Sequence, residues 1–293
     1  MTTRRASNAD VGRRRAPARQ IPVDRSLEAL PLFRLSDSAE EGAIAFTTLE
    51  GGRWRVLPAP GDRLPGTFDQ DVWVELLHRW HEAGAPPDGT VTFTLHAFLR
   101  SMGRRVDGRT YEQLRAALAR MEKTTLESSG AYLSAPAGRC VDLTFSLLGG
   151  VTIERRRILD REQLALFPTL SVAEPGVARV TIAQPVRENI AAGHTALLAV
   201  ARYLELGSPV ARRLYRLLEV ARAENRLAWR LPLERLAEQL PLVQRYPSHL
   251  QRVLKPAHQA LREAGVVREA VIRQEDREWF AEYVLAVRGQ PPA

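Results

Sequence analysis

The sequence predicts an α+β fold: two tandem winged-helix (helix-turn-helix) domains behind a disordered basic N-terminal arm. Three observations point there. Residues 90–148 and 229–287 repeat one plan of short strand, short helix, longer Arg-bearing helix and β-hairpin. Each repeat is preceded by an amphipathic helix, at residues 69–83 and 209–223. Residues 1–25 mix Arg, Ala, Thr and Pro without apolar periodicity, the pattern of a solvated segment.

Taken in order, residues 26–65 form a short β-containing segment and linker. Ile44-Ala45-Phe46 and Trp54-Arg55-Val56-Leu57 are its strand candidates about Gly51-Gly52, and Pro58, Pro60 and Pro65 close it. The first winged-helix domain, with an extended sheet, spans 66–185. Val72, Trp73, Leu76, Leu77 and Trp80 give its first helix an apolar face; Thr67 or Asp69 can cap it and Gly84 ends it. A strand at 90–94 and a short helix at 95–102, ending near Gly103, lead to the longer helix at 109–123. That helix turns Leu114, Ala117, Leu118 and Met121 to one side and Arg109, Glu112, Gln113, Ala116, Arg120 and Lys123 to the other. Segments 126–133 and 139–147 flank the turn-rich 134–138, so this hairpin reads as the wing. Strands at 151–159 and 177–183, bridged through 164–168, read as extending the same sheet.

The second domain spans 186–288. Helices are expected at 195–206 and 209–223, the latter opened by Ser208 and Pro209 and carrying Leu214, Leu217, Leu218 and Ala221 inward. Arg212, Arg213 and Arg216 read as a solvated face, with phosphate contact the lesser alternative. A strand at 229–231, a helix at 233–240 and a longer helix at 248–264, stopped by Gly265, repeat the first plan. Leu250, Val253, Leu254, Ala257 and Leu261 form the apolar stripe of the longer helix; Arg245, Ser248, Arg252 and Gln259 lie away from it. Segments 266–273 and 279–287 supply the second wing.

Composition narrows the function classes. At 293 residues and 45% hydrophobic the chain can hold two cores. No apolar run approaches the ~20 residues that span a bilayer, and no signal-type segment follows the Arg-rich start, so a cytoplasmic protein is expected. The single Cys140 forbids an internal disulfide and argues against structural zinc. Of the formal charge of +8, the first 20 residues hold +5 (six Arg, one Asp), leaving +3 for the other 273. A nucleic-acid surface must therefore come from where charges sit. Forty of the 42 basic residues are Arg, Lys123 and Lys255 being the exceptions. Arg grips phosphate and guanine bidentately, and an Arg- and Ala-rich chain is also what a GC-rich genome encodes.

Catalytic signatures are missing from the sequence: no G-x-x-x-x-G-K-[ST], G-x-G-x-x-G, G-x-S-x-G or H-E-x-x-H occurs, and no cofactor is expected. His78 and His81 have a metal-like spacing but lack Cys or carboxylate partners in a ligand pattern. His249 and His258, on the second long helix, read as surface histidines, with phosphate contact the lesser alternative. Asp69 and Asp71 read as helix-start residues favoured by the dipole.

Four segments resemble the replication initiator protein A family of plasmid initiators: Phe68-Asp69-Gln70-Asp71-Val72-Trp73; residues 110–121 running into Thr124-Thr125-Leu126; residues 211–219; and Arg252-Val253-Leu254-Lys255-Pro256-Ala257 followed by Leu261. Together they span roughly 60–287. Propensity alone would end the last helix at Pro256; the resemblance implies that it continues, bent. It further implies tandem winged helices binding direct repeats of double-stranded DNA at a plasmid or small-replicon origin, recruitment of host replication proteins, and a dimer that represses its own promoter. The long second half of the first domain and the Arg-rich arm depart from the wider superfamily.

The DNA-binding residues expected on this reading are Arg109, Gln113, Arg120 and Lys123 from the first long helix. Arg245, Ser248, Arg252, Lys255 and Gln259 are expected from the second. The alternative within binding proteins is a winged-helix transcription regulator without a replication role; a protein-interaction module and a nicking initiator enzyme are the rivals from other classes. Each helix alone also reads as an ordinary amphipathic helix with a solvated outer face, and only the repeat of the whole plan points beyond that.

Overall fold

The structure, a computed structural model, describes residues 20–35, 42–154, 177–242 and 245–287. Residues 1–19 of the expected arm, the end of the strand expected at 151–159 and the bridge at 164–168 lie outside the described residues.

The ordered chain starts earlier than expected. β1 (Gln20–Asp24) and α1 (Arg25–Ala29) fall partly within the stretch read as an arm, and they lead to β2 (Ile44–Thr47) and β3 (Arg53–Leu57). In β3, Trp54 and Val56 alternate inward, and the Trp54 indole N–H donates to the Pro31 carbonyl at 2.8 Å. α2 (Thr67–Glu82) is capped from its third position, where the Asp69 carboxylate accepts the Gly66 N–H at 2.7 Å. β4 (Thr90–Thr94) buries Val91 and Phe93, and the Thr94 hydroxyl caps α3 (Leu95–Ser101). Asp107 opens α4 (Gly108–Lys123) with a capping box: its carboxylate accepts the Thr110 N–H at 2.9 Å, and the Thr110 hydroxyl accepts the Asp107 N–H at 3.1 Å. Leu114, Ala117, Leu118 and Met121 then bury against α2, α3 and a strand beyond. Fully burying one such leucine contributes about 1.5–3 kcal/mol.

β5 (Thr125–Ser134) and β6 (Arg139–Phe145) form the expected hairpin; β7 (Leu148–Ile153) and β8 (Val177–Ile182) follow. α5 (Gln184–Ala191) comes next, and where one helix was expected over 195–206 the chain forms β9 (Thr195–Ala199) and then α6 (Val200–Glu205). The apolar run Thr195-Ala196-Leu197-Leu198-Ala199 pairs with β1, Gln20 opposite Ala199, and this partner overrides helical propensity. α7 (Pro209–Ala223), β10 (Ala228–Pro232), α8 (Leu233–Gln239), α9 (Pro247–Glu263), β11 (Val267–Glu275) and β12 (Glu278–Leu285) complete the chain. α9 runs through Pro256, as the family resemblance implied, and stops at Gly265, whose φ of +65° is costly for other residues.

Strand pairing corrects the first wing. The β5–β6 hairpin joins the N-terminal strands in a sheet of order β2-β3-β5-β6, while β4 pairs with β8, and β8 with β7. The later strands thus do not extend the hairpin's sheet; they make a separate sheet of order β4-β8-β7. That order matches β10-β12-β11. The elements α2, β4, α3, α4, β7, β8 therefore correspond one for one to α7, β10, α8, α9, β11, β12, with β5–β6 inserted after the first long helix.

One continuous hydrophobic core runs under both sets, and buried ion pairs cross it. Arg213 and Arg216 of α7 are 1% and 2% exposed, so neither the solvated nor the phosphate reading holds for them. Arg216 donates twice to the Glu28 carboxylate, at 2.6 and 2.7 Å, and Arg213 donates to the carbonyls of Glu28 and Leu30, each at 2.8 Å. Arg212 meets Asp71 of α2 at 2.6 Å; the same carboxylate accepts Arg104 at 2.7 Å and the Tyr203 hydroxyl at 2.8 Å. The helix-start acids are thus ion-pair hubs as well. His78 lies 3.5 Å from both Glu75 and Glu82, while His81 turns to the Pro22 carbonyl at 2.7 Å; among the described residues no group of three or more metal-ligating side chains forms.

Candidate nucleic-acid interface

Two helices present matching outward faces. On α4, Arg109, Glu112, Gln113, Ala116 and Lys123 are exposed. The chain that folds this helix inward at every third or fourth residue leaves these positions facing solvent. Glu112 is held by Arg115 at 2.6 Å. Arg120 departs from expectation: it is 6% exposed and donates to Asp69 of α2 from Nη2 at 2.9 Å and from Nε at 3.2 Å. On a wheel at about 100° per residue Arg120 falls beside Arg109, but the start of α2 covers that end of α4. A wheel gives direction and says nothing of what another segment lays over it. Arg120 is therefore an anchor between α4 and α2, removed from the candidate surface.

Ser248, Arg252, Lys255 and Gln259 of α9 and Arg245 just before it are all exposed. Arg245 sits 3.5 Å from Glu238, Gln259 donates to Glu263 at 2.9 Å, and the Arg252 guanidinium meets His249 Nδ1 at 3.1 Å. Pro256 carries no N–H, so the Arg252 carbonyl lacks the intrahelical donor four residues on. His258 is not a surface residue. It is 4% exposed, with Nε2 at 2.9 Å from the Tyr283 hydroxyl. Burial, helped by the nearby Arg262 charge, pushes its pKa down to about 4, so it is a neutral hinge pin between α9 and β12 at physiological pH.

Side chains beyond those expected share the two faces. Arg63 of the Pro-rich linker and Phe68 at the start of α2 line a groove with Arg109, Gln113 and Ala116. Arg105 is 88% exposed just before α4, and Tyr246, immediately before α9, is 71% exposed. No periodicity marks these positions, because each lies outside a helix or on its first turn; only the exposure of an aromatic beside a basic helix identifies Tyr246.

Among solved structures, domains 2 and 3 of RctB share the fold. One is 12% identical, covering 91% of this chain and 100% of that chain with a TM-score of 0.55; a second is 11% identical, covering 89% and 97%, with a TM-score of 0.52. The Pi initiator protein in complex with iteron DNA is 12% identical over 75% of this chain and 93% of that chain, with a TM-score of 0.47. No curated protein matches the chain. The family model for replication initiator protein A matches residues 23–241, well over half of the sequence, and the protein belongs to that family.

Proposed function

We propose that this replication initiator reads double-stranded DNA through two winged helices, α4 and α9 each entering a major groove at repeated sites of a plasmid or small-replicon origin. The observation that carries the reading is the one-for-one correspondence of elements, with sheet orders β4-β8-β7 and β10-β12-β11 behind two long helices with exposed polar faces. In a winged helix the second helix of the helix-turn-helix is the one that reads base edges. The two units are residues 66–185 and 186–288, and the paired strands β7 and β8 take the place of the first wing.

In this reading Arg109 and Gln113 of α4, Ser248 and Arg252 of α9, and Arg245 just before α9 reach base edges. Lys123, Lys255 and Gln259 hold the backbone. Arg to guanine or Gln to adenine supplies about 1–3 kcal/mol of discrimination per good pair. Two readers in one chain give a monomer the footprint that otherwise needs a dimer. The chemistry asked of the protein is binding, in the cytoplasm; no helix among the described residues is long and apolar enough to cross a membrane.

The test is the ratio of specific to non-specific affinity for Gln113→Ala and Arg252→Ala, one from each helix. Each is expected to lower the ratio by about 1–3 kcal/mol of discrimination; an unchanged ratio in both sinks the groove assignment. Incubation with supercoiled origin DNA and magnesium separates this from a nicking enzyme, since a covalent protein–DNA adduct contradicts it.

A further inference from the structure

The outward face of α4 continues past the helix. Arg63, from the linker that precedes α2, and Phe68 line a groove together with Arg109, Glu112, Gln113, Ala116 and the buried Arg120 of α4. The charges in and around it are unevenly engaged. Arg120 is neutralised by Asp69, with Asp62 a further 4.0 Å away, and Glu112 is taken by Arg115. Arg63 and Arg109 are exposed and make no ion pair among the described residues. The floor is apolar: the Phe68 ring, itself under the Arg104 guanidinium at 5.7 Å, and the Ala116 methyl.

Free guanidiniums at the rim over an apolar floor match one strand of a nucleic-acid backbone, in which anionic phosphates alternate with the apolar face of deoxyribose. Half or more of protein–DNA hydrogen bonds go to phosphate and sugar, and such contacts fix the position of a reading helix. Resting on the assignment of α4 as a reader, we infer that the DNA strand bordering its major groove runs through this groove, with Arg63 gripping a phosphate and Phe68 packing on a sugar. The linker is then part of the DNA surface, and Arg63 is a backbone contact carried on a different segment from the helix it serves.

The test uses the full-length protein, a duplex it selects from a random-sequence pool, and a scrambled duplex of equal length, titrated across salt. Arg63→Ala is expected to weaken both duplexes alike, leave their ratio unchanged, and reduce the log–log salt slope by about 0.9; Arg63→Lys is expected to restore the slope. Arg63 is exposed, so these variants keep the fold, and Gln113→Ala run in parallel reports on the reading itself. If Gln113→Ala lowers the ratio while Arg63→Ala leaves slope and affinity unchanged, the linker contact is overturned and the reading stands. If Arg63→Ala lowers the slope while Gln113→Ala changes nothing, the backbone contact stands and base reading by α4 falls. If neither changes anything, both fall.

Discussion

The two corresponding units hold their long helices in opposite ways. α4 is fixed by charge: a capping box at Asp107 and the buried Arg120–Asp69 pair tie it to α2, which is tied through Asp71 to Arg104 and Arg212. α9 has no side-chain cap, carries a proline in its middle, and rests on an apolar stripe of Leu250, Leu254, Ala257 and Leu261 with one neutral His258–Tyr283 contact. The first unit also has the β5–β6 hairpin inserted beside it, and the N-terminal layer packs on both units, through Glu28 on α7 and through β1 on β9. Identical plans can thus be stabilised by directional pairs or by shape-tolerant apolar packing. The first mode predicts a rigid reader that fails abruptly, and the second a reader that yields gradually.

Breaking the charged frame should give the largest effect. Glu28→Gln leaves Arg213 and Arg216 buried without their carboxylate, and a loss toward the upper end of about 3–5 kcal/mol is expected in denaturant unfolding. A loss under 1 kcal/mol would mean that the frame is ornamental. Asp69→Asn should cost nearer the lower end of that range, because Asp62 lies 4.0 Å from Arg120. It should also degrade base preference at the half of the site read by α4 alone, measured by selection from randomised duplexes. Equal degradation in both halves would contradict separate anchoring.

A smaller and more discriminating test is pH. His258 has a folded pKa below its ordinary 6.5, so the unfolded chain binds the extra proton. Its contribution is complete above pH 6.5 and is lost as pH falls toward about 4. Asp24, behind β1, behaves in reverse. Burial raises its pKa to about 7 despite hydrogen bonds from the Tyr132 hydroxyl at 2.5 Å and from Asn189 at 3.1 Å. The folded form holds that proton, so its contribution is present below the ordinary carboxylate value of 3.8 and is lost as pH rises toward about 7. His258→Gln should flatten the acid-side decline and Asp24→Asn the neutral-side one, in unfolding measured from pH 4 to 8; matching profiles for the two variants would refute the assignment. The smallest effect expected is from deleting residues 1–19, which should weaken all DNA about equally in a salt titration.

The long helices, the short helices before them and the C-terminal β11–β12 hairpin were legible in the sequence because each follows from local periodicity and stop residues such as Gly265. The strand pairing behind α4 was not. Residues 134–138 form a compact turn between two β-rich runs, a stronger local hairpin signal than β7 and β8, whose connection spans residues 154–176. Pairing depends on which strand arrives beside β4, and periodicity carries no information about that. Gln113 and Arg252 face solvent as the helical wheel predicts, whereas Arg120 and His258 do not, because another segment lies across them. Arg213 and Arg216 were opaque for the same reason: their partner Glu28 is 185 and 188 residues away.

The β1–β9 pairing carries a consequence for synthesis. Its outermost register joins Gln20 to Ala199, a separation of 179 residues. At about 5–20 residues per second, a ribosome needs on the order of ten to thirty-five seconds to deliver the partner strand after the first one emerges. Until then β1 lacks its partner strand, and Glu28 waits longer still for Arg213 and Arg216. A nascent chain halted between residues 124 and 194 has already made α4 but lacks both the strand and the helix α7 that lock its surroundings, so this long helix exists before the protein able to hold it in register. The topology thereby delays completion of the fold until β9 and α7 have both been made.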